Sequence, residues 1–440
     1  MRNSLLLVLG LVAPLAHGTP DIQHWQTANG AQVYFVEAHE LPMVDVRVIF
    51  DGGSARDGGH AGVAVLTNGL LAEGADGLSA DEISDNFEAN GAIFEAGALR
   101  DMAWVSLRSL TDPEKLEPAV ANLSRVLSRP DFPADVLDRE RSRLLVALRY
   151  KQQSPSDLAQ DAFYRAVYGE HPYAHPSEGT AESVQALSRD DVSAFYARYY
   201  TARNAVVAIV GDLSSREAKA LAEAALAGLP EGGRAAALPP VPALTGPKEV
   251  RVAHPSAQTH ILVGQAGVAR SDPDVITLYV GNHALGGGGL VSRLSEEIRE
   301  KRGLSYSVSS YFLPMRRRGP FTAGLQTRND QADEALALLQ ANLAEYVAKG
   351  PTAEELRASK QNITGGFPLR IDSNRKIVGY LAMIGFYGLP LDYLDTFNGR
   401  VEAVTQADIR EAFRKHLSPD RMITVRVGGE PATAVVDPAP

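Results

Sequence analysis

Along the first third of the chain the spacing of apolar positions changes several times, and each change marks an element. In "MVDVRVIFDGGS" Val44, Val46 and Val48 fall at every second position. That is the alternation of a strand half-buried on a core, and it closes on a glycine turn. From Val63 the spacing lengthens, so that Val63, Leu66 and Leu70 share one face of a helix with Gly74 beyond its end. Ser79 and Glu82 stand three apart at the head of the next helix, as a capping box requires, and Asn90-Gly91 stops it. Strands fill 93–110, and helical periodicity occupies 113–127 and 134–150. This order predicts a mixed sheet with helices packed on it, an α+β arrangement.

The pattern occurs twice. "LSRDDVSAFYARYYTARNAVVAIVGD" from Leu187 aligns without a gap on "VTQADIREAFRKHLSPDRMITVRVGG" from Val404. In both copies a Ser or Thr cap leads a helix with Asp191 or Asp408 in its first turn. A turn and an apolar strand ending in Gly211 or Gly428 follow. Upstream, "VYGEHPY" and "FYGLPLDY" sit at nearly the same offset. Between the copies, "LPEGGRAAALPPVPALTGP" at 229–247 has the Gly, Ala and Pro content of an extended connector. The expected organisation is a leader at 1–18, a first domain at 19–228, the linker, a homologous second domain at 248–432 and a tail at 433–440.

Composition narrows the function. The chain has 440 residues, 45% of them hydrophobic, which is enough for sizeable cores. Its net charge is -10, and no long basic block offers a footprint for nucleic acid. Arg2, the apolar run "LLLVLGLVAPLA", and Ala16 and Gly18 before a cut at Thr19 have the parts of a secretory signal, so a periplasmic location is expected. The run is interrupted by Pro14 and is shorter than the roughly 20 residues of a bilayer span, and no later stretch is long or apolar enough. The absence of cysteine excludes disulfides and cysteine-based chemistry.

The strand, the "GGSARD" turn and the helix after it, with the order of elements around them, resemble the pitrilysin or insulinase-like zinc peptidases, a family that includes the mitochondrial processing peptidase subunits. The resemblance covers nearly all of the chain beyond the leader. In that family the helix carries His-x-x-Glu-His, two zinc ligands and a general base, and a later helix supplies a glutamate as third ligand. The matching positions here are Val65, Leu66, Thr67, Asn68 and Gly69, and, in "ERSRLLVA", Ala147. A catalytic zinc needs about three protein ligands and an open position. No metal or other cofactor is therefore expected in this chain. His171 with His175, and His254 with His260, have no evident third partner and read as ordinary polar histidines.

The second half holds "ALGGGGLVSRLSEEIREKRGLSYSVSSY", read as a glycine-rich loop, a helix with Leu290, Leu294 and Ile298 on one face, a stop at Gly303 and a strand opened by Tyr306. No "GK[ST]" follows the glycines, so a phosphate loop is not indicated. In the resembled family an arginine and, seven residues later, a tyrosine reach the catalytic centre; Arg299 and Tyr306 match them. A guanidinium can hold a substrate carbonyl or carboxylate, and a phenol can donate to an oxyanion. The resemblance further implies contact of Gly287 and Gly288 with peptide. Arg316 to Arg318 read as the cap of a solvated strand turn, with steering of acidic substrates as the alternative.

The expected function is the metal-free subunit of a heterodimeric zinc peptidase. A homologous partner would carry His-x-x-Glu-His and the zinc, with a peptide or unfolded polypeptide as substrate and no nucleic acid or membrane span. The alternative is a catalytically silent peptide-binding or assembly subunit of the same fold. A self-sufficient hydrolase would need a nucleophile and base that the sequence does not offer.

Overall fold

A computed structural model describes residues 19–429. The leader, and the end of the chain from 430 onwards including the tail, lie outside the described residues.

Strands β1 (Gln23–Gln26), β2 (Gln32–Glu37) and β3 (Met43–Phe50) precede a short ribbon, β4 (Gly74–Ala75) with β5 (Leu78–Ser79). Then come β6 (Ile93–Ala98), β7 (Ala103–Leu110) and β8 (Ala205–Gly211). The second half contributes β9 (Lys248–Val252), β10 (Gln258–Ala266), β11 (Val308–Phe312), β12 (Pro320–Arg328) and β13 (Ile423–Val427). The first sheet has the order β1-β2-β8-β3-β7-β6 and the second β11-β12-β10-β13-β9. Without β1, the two orders are one order read from opposite ends. Among the described residues the only parallel pair in each sheet joins the first strand of the repeat to the last, β2 with β8 and β9 with β13. The two halves thus share one topology, and both helices of the aligned segment start in a capping box, Ser188 with Asp191 and Thr405 with Asp408.

Each half lends a helix to the other. Pro155–Tyr168 belongs to the first half but packs on β9, β10 and β13 of the second sheet, and Asn374–Tyr387 belongs to the second half but packs on β2, β3 and β8 of the first. Both end in Tyr-Gly, at Tyr168-Gly169 and Tyr387-Gly388, which are the two upstream matches of the repeat. Close approach depends on missing side chains. A Cβ on Gly385 of the Asn374 helix would come within 2.6 Å of Tyr34 and Val206, and one on Gly264 of β10 within 3.0 Å of Phe163.

The exchange corrects the reading of β3. Val44, Val46 and Val48 do face the first core, with Val33 and Phe35. Ile49, 1% exposed, joins a different core with Tyr34, Val206, Leu381 and Ile384 on the reverse face. The strand is buried on both faces, because the second half covers the face that local alternation assigns to solvent. Asp45 on that face is also buried, and Arg108 donates to both of its carboxylate oxygens at 3.0 Å.

Residues 229–247 contain neither helix nor strand, yet Leu238 and Val241 are buried in a further apolar cluster with Phe163, Tyr168 and Tyr173, beside the Pro155 helix. Among the described residues no helix is long and apolar enough to cross a membrane.

Candidate functional site

The helix at the degenerate metal position runs Val63–Leu70. Its first turn is held by Asp57, whose carboxylate accepts the N–H groups of Gly62 at 2.7 Å and Ala64 at 3.0 Å. Burial pushes the Asp57 carboxyl up to about 7, against the lowering effect of those N–H groups and Arg100. His175 stands 3.9 Å from it, and burial lowers the imidazole's pKa.

Val65 is half-buried and Gly69 is exposed. Asn68 is buried and donates to the Tyr200 hydroxyl at 3.1 Å and to the Trp104 carbonyl at 3.4 Å. Ala147, on the packed helix Ala134–Lys151, is exposed. The four positions offer an isopropyl group, a carboxamide already engaged in the core, a hydrogen and a methyl group. They do not fit zinc, and no reaction step can be routed through a metal here. The group of three metal-ligating side chains gathered among the described residues lies elsewhere, at Asp272, Asp274 and His416. There Asp274 already accepts from Lys415 at 2.7 Å and His416 at 2.9 Å, which makes it an ion-pair cluster. His171 is buried and structural: Nε2 meets the Pro239 carbonyl at 3.0 Å and Nδ1 accepts the Tyr173 N–H at 3.1 Å.

A cavity of about 1010 Å³ lies between the halves. Ala147 and Trp104 line it from the first half, and Arg270, Met315, Met383 and Tyr387 from the second. Its floor is a lock around Asp101. That buried carboxylate accepts the hydroxyls of Tyr173 at 2.5 Å and Tyr387 at 3.0 Å and the N–H of Arg316 at 2.6 Å. Burial, then the Asp101 charge, raises both tyrosines well above the usual phenol range, so they remain donors. The arginine run corrects the expectation of a solvated turn. Arg316 lies 3.3 Å from Asp51, Arg317 donates to the Leu238 carbonyl, and Arg318 donates to the Val241 carbonyl at 3.0 Å. The run ties the linker and the first half to the second, a role without local signal because these partners are 77 or more residues away in sequence.

Arg299 and Tyr306 are brought together. The guanidinium lies 4.8 Å from the ring centroid, within cation–π range. Arg299 occupies the last turn of a π-helical segment, Ser295–Glu300, and has Glu300 at 3.5 Å. Leu294 and Ile298 are buried there, whereas Leu290 is 65% exposed, so the expected three-residue apolar face is two residues long. A 3-10 turn at Gly289–Val291 breaks the helix and rotates Leu290 away. Tyr306 precedes β11 by two residues and does not open it. At 81% exposed, it is not a packed strand residue. Neither member of the pair lines the interdomain cavity. Gly287 and Gly288 line another cavity, in the second half.

A family model described as Insulinase (Peptidase family M16) matches residues 32–181, and one described as Peptidase M16 inactive domain matches residues 186–363. The non-peptidase homolog YmxG of Helicobacter pylori is 27% identical, over 94% of this chain and 96% of its own length. An uncharacterized zinc protease of Mycobacterium leprae is 31% identical over 74% of each chain. A crystal structure of a peptidase M16 inactive domain from Pseudomonas fluorescens is 43% identical, with a TM-score of 0.90 over 94% of this chain and 99% of that one. The crystal structure of a protease from Helicobacter pylori, 20% identical, shares the fold with a TM-score of 0.86 over 93% of this chain and all of that one. With Val65, Asn68, Gly69 and Ala147 where metal ligands and base would stand, the chain belongs to peptidase family M16 as a member without the catalytic zinc motif.

Proposed function

We propose that this chain is the metal-free subunit of a periplasmic heterodimeric zinc peptidase. A homologous partner carries His-x-x-Glu-His, and this chain supplies Arg299 and Tyr306 to peptide hydrolysis at the partner's site. The observation that carries the reading is the exposure of Tyr306, whose ring is stacked on Arg299 with its surface 81% open to solvent. An aromatic ring so placed adds little to its own core and is free to meet another molecule. Arg299 then holds a peptide carbonyl or carboxylate, and the Tyr306 hydroxyl donates to the oxyanion of the tetrahedral intermediate. The partner's zinc supplies activated water and polarises the scissile carbonyl. Peptide binds in extended form, partly by strand addition to an open sheet edge such as β6 or β11. Gly287 and Gly288 give it backbone contact where no side chain intervenes.

The name of the H. pylori relative, a non-peptidase homolog, favours a second reading, a catalytically silent peptide-binding or assembly subunit. One experiment separates the two. The chain, the partner with the zinc motif, and their mixture are assayed for peptide cleavage, with zinc content determined for each. Cleavage by the mixture alone, with zinc following the partner, supports the paired peptidase. A stable mixture without cleavage supports the silent subunit, and cleavage or stoichiometric zinc in this chain alone overturns both.

A further inference from the structure

The cavity lined by Gly287 and Gly288 has a volume of about 560 Å³, within the size range of ligand pockets. Its wall carries two guanidiniums, Arg270 and Arg370, four tyrosines, and no Asp or Glu. Arg270 Nε is buried without a hydrogen-bond partner among the described residues. The acids nearest to it in sequence, Asp272 and Asp274, face His416 and Lys415 instead. Arg370 lies over the Tyr279 ring at 5.8 Å and beside the Tyr380 hydroxyl. Arg270 also lies over the Tyr387 ring at 5.5 Å and borders the interdomain cavity with Asp101, but two cations in a wall without a carboxylate favour an anionic ligand on this side.

The surroundings favour a carboxylate with an apolar or peptidic body. Burial keeps the Tyr380 and Tyr393 phenols above their ordinary pKa, although Arg370 lowers the first and Arg270 the second, so both remain donors. Val275, Ile276, Phe312 and Phe397 supply apolar wall. His283 is fixed by Ser359 and Asn362, each at 3.0 Å, and burial lowers its pKa, so it adds no further charge at neutral pH. The π-turn His283–Gly287 forms one side; a Cβ on Gly288 would come within 2.7 Å of the His283 carbonyl. Arg270, Leu313, Pro314 and Met383 line both this cavity and the interdomain one, so a chain lying in the cleft reaches the guanidiniums from one end.

We infer that this cavity binds a peptide carboxylate, either a free C-terminus or an acidic side chain, on the guanidiniums of Arg270 and Arg370. The inference rests on the reading that the chain binds peptide, but it concerns selection and not cleavage.

The test uses the full chain without its leader and three fluorescent peptides of one length. The first has a free C-terminus and no acidic residue, the second is its amide, and the third is the amide with one internal Glu. The free acid is expected to bind at least about tenfold more tightly than the amide. Arg270→Met and Arg370→Met each remove that difference while the melting temperature stays near wild type, and Arg270→Lys restores part of it. Recovery of affinity by the third peptide identifies an acidic side chain as a sufficient source; without recovery, the C-terminus is the ligand. Equal binding of acid and amide to the wild type, or no binding of any peptide, overturns the inference even if either variant fails to fold. Cleavage by the mixture with the partner is scored separately, so loss of this site and loss of the proposed function are distinguishable.

Discussion

Tyr306 keeps its ring in solvent against a single guanidinium, and that exposure separates its fold role from the functional one proposed for it. Removing only the hydroxyl should cost the fold less than about 0.5 kcal/mol, as for surface changes generally. If the phenol donates to an oxyanion in the assembled peptidase, the loss is about 2.7 to 4 kcal/mol of transition-state stabilisation. Tyr306→Phe is therefore expected to leave melting and assembly intact and to lower kcat of the complex about a hundredfold or more. Unchanged turnover would assign the ring to packing on Arg299 alone. Asp57 makes a different residue-scale prediction. Its folded pKa is raised to about 7 from 3.8, so the folded state binds the proton more tightly and stability is lost as pH rises through that window. The contribution is about 4 kcal/mol across it. Melting followed from pH 4 to pH 8 should show Asp57→Asn gaining on wild type as pH increases, and a constant gap would show that the carboxyl titrates normally. His175 beside it acts in the opposite sense, since its pKa is lowered and its stabilisation grows as pH rises towards 6.5, which is why the comparison is with the variant.

At the scale of the element, the two lent helices decide how the halves cohere. The Asn374 helix contains Gly385, against which a Cβ would meet Tyr34 and Val206 at 2.6 Å, and Gly379, around which nothing lies within 4 Å. Alanine favours a helix over glycine by about 1 kcal/mol at either position. At Gly385 overpacking of about 1 to 3 kcal/mol opposes that gain. Gly379→Ala is thus expected to raise the melting temperature and Gly385→Ala to lower it. Two increases would mean that the helix shifts freely on the first sheet. The capping box of Ser79 and the caps at Ser188 and Thr405 were legible in the sequence, because their hydrogen bonds close within three residues. The rotation of Leu290 out of the apolar face was not, since a 3-10 turn and π-helical segments replace the regular helix that its spacing implies.

For the molecule as a whole, Asp101 joins Tyr173 of the first half to Tyr387 and the Arg316 N–H of the second. Asp101→Ala leaves those buried donors unsatisfied, at about 1 to 3 kcal/mol each. It should lower the melting temperature and speed proteolytic cutting near Leu238 and Val241, where Arg317 and Arg318 hold the linker. An unchanged cleavage rate would show that the linker is held independently of the lock. The interdomain cavity depends on this closure, because its walls come from both halves.

The sequence by itself determined the α+β class, the duplication and the loss of the zinc motif. Periodicity, capping and missing ligands are local properties, and the repeat preserves them in both halves. Arg299 and Tyr306 were named from the family resemblance, and, standing seven residues apart, they are close enough for one turn to bring them together. Tertiary structure alone decided that β3 is buried on both faces, that Arg316 to Arg318 face inward, and that Arg270 and Arg370 share a cavity 100 residues apart in the chain. The first two depend on one half covering the other and the third on distant segments of the second half meeting, and no short window of sequence contains both partners of such a contact.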